Sequence, residues 1–277
     1  MDERAILDEI HEDLNQTPAA RVIYLEGETD PAIFFGVLGV PQPAGDVFLH
    51  QTTLVKGLPT RRGSGNEAVK FRVEAGHKNG YGGRVFGIID GDGVELAALA
   101  QQFDAPFLGP LFAWKAYSIE SLLPQTGWPA RWGSPPIWQA DLLAYAPYIA
   151  FNRLHKDLSN RLETLRLHKF LNPINGQPLE TVADISAALQ RDQHLLNGYD
   201  VATEFTNQVA RYRTALTTSL EDGLALLNGK WLLDDLLNRR DGKNRDSGCQ
   251  EWITHATTQG GLAAVRDLWQ RITGSAP

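Results

Sequence analysis

The chain has 277 residues, 43% hydrophobic and 21% charged, which fits a globular protein with a sizeable core. A net charge of −7 and a pI near 5.5 exclude a surface that binds polyanions indiscriminately. The single cysteine, Cys249, excludes an intramolecular disulfide and a multi-cysteine zinc site, and in its polar surroundings it reads as incidental. No apolar run reaches the ~18–20 residues that span a bilayer, and Met1-Asp2-Glu3-Arg4 lacks a signal-peptide pattern. The expected location is cytoplasmic, with no membrane contact.

Ile6, Ile10 and Leu14 recur four apart and predict an N-terminal helix over 3–15. Val22-Ile23-Tyr24-Leu25 is a short apolar run that predicts a buried strand, and it ends abruptly in Glu26-Gly27-Glu28-Thr29-Asp30. Pro31 stands where a helix can begin, with Ile33, Phe34 and Val37 on its apolar side. Val47-Phe48-Leu49 predicts a second strand, and the glycine-rich stretch 57–84 reads as loop. Val85-Phe86-Gly87-Ile88-Ile89 predicts a third strand running into Asp90-Gly91-Asp92-Gly93. A helix near 94–103 and a strand over Leu111–Trp114 follow. This alternation implies a mostly parallel α/β sheet flanked by helices.

Gly127 to Pro136, rich in Trp, Pro and Gly, marks a boundary near residue 128. Residues 1–128 then form the α/β domain and 129–277 a helical C-terminal region. Helical patterns cover 140–150, 153–170, 180–196, 201–227 and 261–272. In the fourth of these, Phe205, Val209, Tyr212, Leu216 and Leu220 form an amphipathic stripe.

Ligands of parallel sheets bind beyond the carboxyl ends of the strands. Two strands ending in carboxylates there would gather Glu26, Asp90 and Asp92 in one small volume. Their mutual repulsion is relieved by a hard divalent cation, which favours oxygen ligands, so the pattern points to Mg²⁺ or Mn²⁺. Glu26 is placed to ligate the ion or to act as general base on attacking water. Glu120 and Asp30 are further ligand candidates, although Asp30, directly before Pro31, also suits a helix N-cap.

The same residues resemble a known family. Leu25-Glu26-Gly27-Glu28-Thr29-Asp30 resembles the E-G-x-x-D motif of Toprim domains, and Ile89-Asp90-Gly91-Asp92 resembles their D-x-D motif. Ser118-Ile119-Glu120-Ser121-Leu122-Leu123 resembles the I-E-N segment of OLD-type and stand-alone Toprim proteins. Gly76-His77-Lys78-Asn79 and Gly229-Lys230-Trp231-Leu232-Leu233 resemble two further elements, the first with His77 replacing a glycine. The motifs also resemble those of the Toprim effector nucleases of PARIS anti-phage systems. The resemblance implies a Toprim-like domain and Mg²⁺-dependent cleavage of DNA or of RNA such as tRNA. It also implies a lysine at the scissile phosphate and a role in defence triggered through an ABC-type ATPase partner.

Lys115, just past the fourth strand, has the best position for that lysine; Lys78 and Lys230 are the alternatives. Arg153, Lys156, Arg161, Arg166 and Lys169 form a local basic track for nucleic acid in an otherwise acidic chain. Its use against a polyanion implies self-association, a homodimer being the expected active form. Gly229-Lys230 lacks the upstream glycine of a Walker A motif, so ATP hydrolysis falls to a partner. The tryptophans read chiefly as core, with Trp128 and Trp132 set apart in the Pro/Gly-rich segment. Two other readings share these residues: a Toprim nucleotidyl transferase or primase-like enzyme, and a noncatalytic regulatory subunit.

Overall fold

The computed structural model describes residues 3–27, 29–40, 45–52, 65–91, 110–127, 200–226 and 245–274, with residues 129, 143, 146, 147, 150, 154, 190 and 229. The chain divides into two compact units, one formed by Met1–Trp132 with Leu224–Pro277 and the other by Gly133–Gly223.

In the first unit, β1 (Arg21–Leu25), β2 (Val47–Gln51), β3 (Val85–Ile89) and β4 (Leu111–Ala113) form a parallel sheet in the order β2-β1-β3-β4. Ile23 pairs with Leu49 on one side and Phe86 on the other, and Ile88 pairs with Phe112. From Val22 onward in β1, and throughout β3, the two central strands are buried and carry no charged residue, because both of their faces are covered. β1 connects to β2 through α2 (Asp30–Leu38), and β2 returns past β1 to β3 through α3 (Gly65–Lys78). Right-handed crossovers running in opposite directions place α2 and α3 on opposite faces.

On one face, Ile6, Ile10 and Leu14 of α1 (Glu3–Leu14) and Val69 and Val73 of α3 pack on alternate strand residues. These are Val22, Tyr24, Val85, Ile89, Leu111 and Ala113. Gly87 of β3 lies beneath α3. A Cβ there would come within 2.6 Å of Val69 and 2.7 Å of Val73, so only glycine admits the helix at this depth. Gly87→Ala is expected to destabilise by about 1–3 kcal/mol through overpacking, read as a lower urea midpoint at unchanged slope.

The same face buries polar groups. Tyr24 donates to Glu9 Oε1 at 3.1 Å, and the Arg72 guanidinium lies 5.5 Å from the Tyr24 ring centre. His50 of β2 meets Asp13 of α1 at 2.5 Å. Burial, reinforced by Glu9, pushes the Tyr24 hydroxyl well above its ordinary pKa of 10.0. Burial likewise lowers that of Arg72. Since the folded pKa of Tyr24 is the higher one, its stabilisation is whole below pH 10 and declines as pH rises above it. The stability gap between wild type and Tyr24→Phe is therefore expected to narrow above pH 10, measured by urea unfolding on either side of that pH.

A second apolar layer joins α2 to α6 (Arg245–Thr258) and α7 (Ala263–Thr273). Gly36 lets Ile253 approach the α2 backbone, and Thr257 donates to Gly36 O at 2.7 Å. The rings of Phe34 and Phe35 meet Trp269, and Phe34 also meets Trp114. Trp114, Trp252 and Trp269 are core residues, as their apolar neighbours predicted.

In the second unit, α4 (Val201–Thr218) buries Phe205, Val209, Tyr212 and Leu216 along the predicted stripe. The helix does not run on to 227, as the periodicity suggested. Ser219 is extended, with φ −158°, and its hydroxyl accepts from Asp222 N–H at 3.0 Å to open α5 (Leu220–Leu226). The stretch 57–84 is corrected too, because residues 65–78 are α3. The patterns at 94–103, 140–150, 153–170 and 180–196 fall outside the described residues, apart from residues 143, 146, 147, 150, 154 and 190. Among the described residues, no helix is long and apolar enough to cross a membrane.

Candidate functional site

β1 and β3 are neighbours whose connections depart in opposite directions, β1 to β2 and β3 to β4. This is the switch point of an open parallel sheet, where a crevice forms beyond the strand ends. The residues directly after these two strands are Glu26 and Asp90. The sheet thus places two of the sequence-selected carboxylates at adjacent strand ends.

Glu26 is anchored from two sides. Its Oε2 accepts the Asp90 backbone N–H at 3.3 Å, which ties the two strand ends together. Its Oε1 faces Gly65, the first residue of α3, where a Cβ would lie 3.1 Å away. Gly65 has φ +62°, so it also supplies a left-handed turn that other residues resist. The positive end of α3 is thereby turned toward the Glu26 carboxylate.

The β1–α2 turn carries the network onward. Gly27 N–H donates to Asp30 Oδ2 at 2.8 Å, and a Cβ on Gly27 would overlap that carboxylate. Asp30 is buried at the first position of α2, where it pins the turn that presents Glu26. Thr29 Oγ1 donates to Glu120 Oε1 at 3.1 Å, bringing the buried Glu120 against the same turn. Glu120 opens a 3₁₀ segment, Glu120–Thr126, rather than following directly on a strand. Glu26, Asp30, Asp90 and Glu120 are therefore linked through one loop, by contacts that spacing in the sequence does not reveal.

Lys115 is exposed immediately after β4. Trp114 N–H bonds to Ile89 O at 3.0 Å and Gly91 N–H to Ala116 O at 3.1 Å, so residues 114–116 run alongside 89–91. Lys115 is thereby carried beside Asp90. Lys78 is corrected. It lies in the last turn of α3, roughly 20 Å along the helix from Gly65 and paired at 3.9 Å with Glu74. Gly76, in the stretch read as loop, instead lies in α3 with its bare Cα packed against Val85. Asp92, Lys230 and the basic track Arg153, Lys156, Arg161, Arg166 and Lys169 lie outside the described residues.

Three positions were not selected as site residues from the sequence: Thr29, Gly65 and Gly229. Thr29 stands inside the selected acidic loop, so its hydroxyl was in view. Gly229 belongs to the Gly229-Lys230 element, and its backbone lies against Glu120 and Ser121. Gly65 carries no local signal, because its role arises only when α3 docks on Glu26.

The donor set suits a hard cation, being carboxylate oxygen at two adjacent strand ends. Among the described residues, no three His, Cys, Asp or Glu side chains form a group able to hold a metal ion. Mg²⁺ commonly takes only one or two protein carboxylates and keeps water and phosphate oxygens for the rest, so Glu26 and Asp90 fit that mode. Comparison with protein-family models, with curated proteins and with solved structures finds no match.

Proposed function

We propose that this chain is a Mg²⁺- or Mn²⁺-dependent nuclease, with a Toprim-like domain built on the four-stranded sheet. The reading rests chiefly on one observation, the tie between Glu26 and Asp90 across the β1/β3 switch point. The bound cation would neutralise charge on the phosphoryl oxygens and the leaving oxygen. Glu26 and Asp90 would hold it, with Asp92 as the further carboxylate of the D-x-D pair. Glu120, drawn to the same loop, would complete the acidic wall. Glu26 also stands ready to take a proton from the attacking water, and Lys115 to offset phosphate charge from the β4 side.

The acidic chain approaches a polyanion through the basic track from Arg153 to Lys169, assisted by self-association. The motif likeness favours a cytoplasmic effector of anti-phage defence with a helical C-terminal region, triggered through an ABC-type ATPase partner.

The deciding experiment incubates purified protein with labelled plasmid, single-stranded DNA and total tRNA, with and without Mg²⁺ or Mn²⁺. Cation-dependent cleavage of one of these is the expected result. Failure to cut any substrate, at concentrations that include the dimer, together with failure to bind either cation, overturns the reading. Asp90→Asn keeps the shape and removes a charge. It is expected to weaken Mn²⁺ binding at least about tenfold by calorimetry, with partial recovery of cleavage at high Mn²⁺.

A further inference from the structure

We infer that Gly65 is a positioning residue for Glu26, an inference that rests on reading Glu26 as a working carboxylate of the proposed nuclease site. The Glu26 backbone is held from the neighbouring edge strand. Thr52, directly after β2, gives its N–H to Leu25 O at 2.8 Å and its hydroxyl to Glu26 O at 3.4 Å. That fixes where the side chain starts, and its rotamer decides where the carboxylate ends. The two carboxylate oxygens meet different elements. Oε2 accepts the Asp90 N–H at 3.3 Å, while Oε1 faces the bare Cα of Gly65.

A Cβ at residue 65 would stand 3.1 Å from Oε1, so the carboxylate would have to give way by a few tenths of an ångström. A shift of that size is enough to take the Asp90 bond, already long for N–H···O, past the limit of a hydrogen bond. Among the described residues outside α3, Glu26 is the one side chain within 4 Å of that Cβ position. Gly65 therefore meets two separable demands. The backbone needs φ +62°, which asparagine also tolerates, and the Glu26 carboxylate needs the Cβ to be missing, which glycine alone provides. Asparagine at this position keeps the turn at little strain and crowds only the carboxylate.

The test follows amide hydrogen exchange by NMR in the full chain carrying Gly65→Ala, Gly65→Asn or Glu26→Ala. The Asp90 N–H reports the tie to Glu26. The Gly87 N–H, bonded to Pro110 O at 3.0 Å on the same strand, reports the sheet. Exchange at Asp90 is expected to rise about tenfold or more in both Gly65 variants, the size of a lost hydrogen bond to a charged acceptor, while Gly87 keeps its rate in Gly65→Asn. In the Glu26→Ala background, Gly65→Asn is expected to add nothing, because both changes act through one carboxylate. Cleavage is expected to fall along with protection at Asp90. Wild-type exchange at Asp90 in Gly65→Asn makes Gly65 a turn residue only and overturns the inference, leaving the nuclease reading intact. Equal acceleration at Gly87 and Asp90 in that variant overturns it as general loosening. So does fast exchange at Asp90 with cleavage at the wild-type rate, since the tie then serves the fold alone. A wild type that cuts no substrate overturns the nuclease reading and the positioning role with it.

Discussion

Glu26→Gln is expected to abolish cation-dependent cleavage while leaving the fold in place. The glutamine side chain keeps the length of glutamate and an oxygen that can accept the Asp90 N–H, so the tie between β1 and β3 survives. What is lost is the charge, and with it, on the proposed reading, a ligand for the cation and a base for water. Removing one preorganised charge-stabilising group costs about a hundredfold to a thousandfold in rate, and Glu26 is asked to serve more than one such role. Stability should change little. The glutamine loses its favourable interaction with the positive end of α3 but also its repulsion from neighbouring carboxylates. Cleavage at the wild-type rate under limiting Mg²⁺ would remove Glu26 from the site.

The sheet was legible in the sequence because its strands are short, apolar and cut off by acidic or glycine-rich turns. Val85–Ile89 is buried at every position, so the unbroken run carried the signal. The helix α3 was hidden by its glycines. Gly65 is needed for a left-handed turn beside Glu26, and Gly76 for contact with Val85, yet in one dimension both read as loop. The break at Ser219 was visible in principle, since Ser219 and Asp222 have the spacing of an N-terminal cap. The stripe of α4 outweighed it.

At the site, strand patterning located Glu26 and Asp90, but not the way the remaining groups are held. The bonds from Gly27 to Asp30 and from Thr29 to Glu120 depend on the path of a turn. The second of these joins residues far apart in sequence. Lys78 shows the opposite error. It was an alternative lysine in a stretch read as loop, but a helix carries it to the far end of its connection.

The C-terminal helices belong to the unit that carries the sheet, and Trp252→Ala is expected to expose that dependence. Trp252 on α6 is wholly buried, and its indole N–H donates to Gly127 O at 3.1 Å. Truncation removes a large apolar volume and strands that carbonyl, at a cost of about 3–5 kcal/mol. Against a total of roughly 5–15 kcal/mol for a typical domain, this is a severe loss. Trp252→Phe fills most of the volume and should cost less, close to the value of the lost hydrogen bond alone, about 1–3 kcal/mol. Denaturant unfolding of the two variants separates packing from hydrogen bonding. An alanine variant within about 0.5 kcal/mol of wild type would make α6 peripheral, since that is the size of an ordinary surface substitution. The effect should also reach the site. α6 packs on the 3₁₀ segment that begins at Glu120, and Gly127 closes that segment. Loosening Trp252 frees the far end of the Glu120 turn, so if Glu120 serves the proposed cation site, Mn²⁺ affinity is expected to fall in the alanine variant at temperatures where it is still folded.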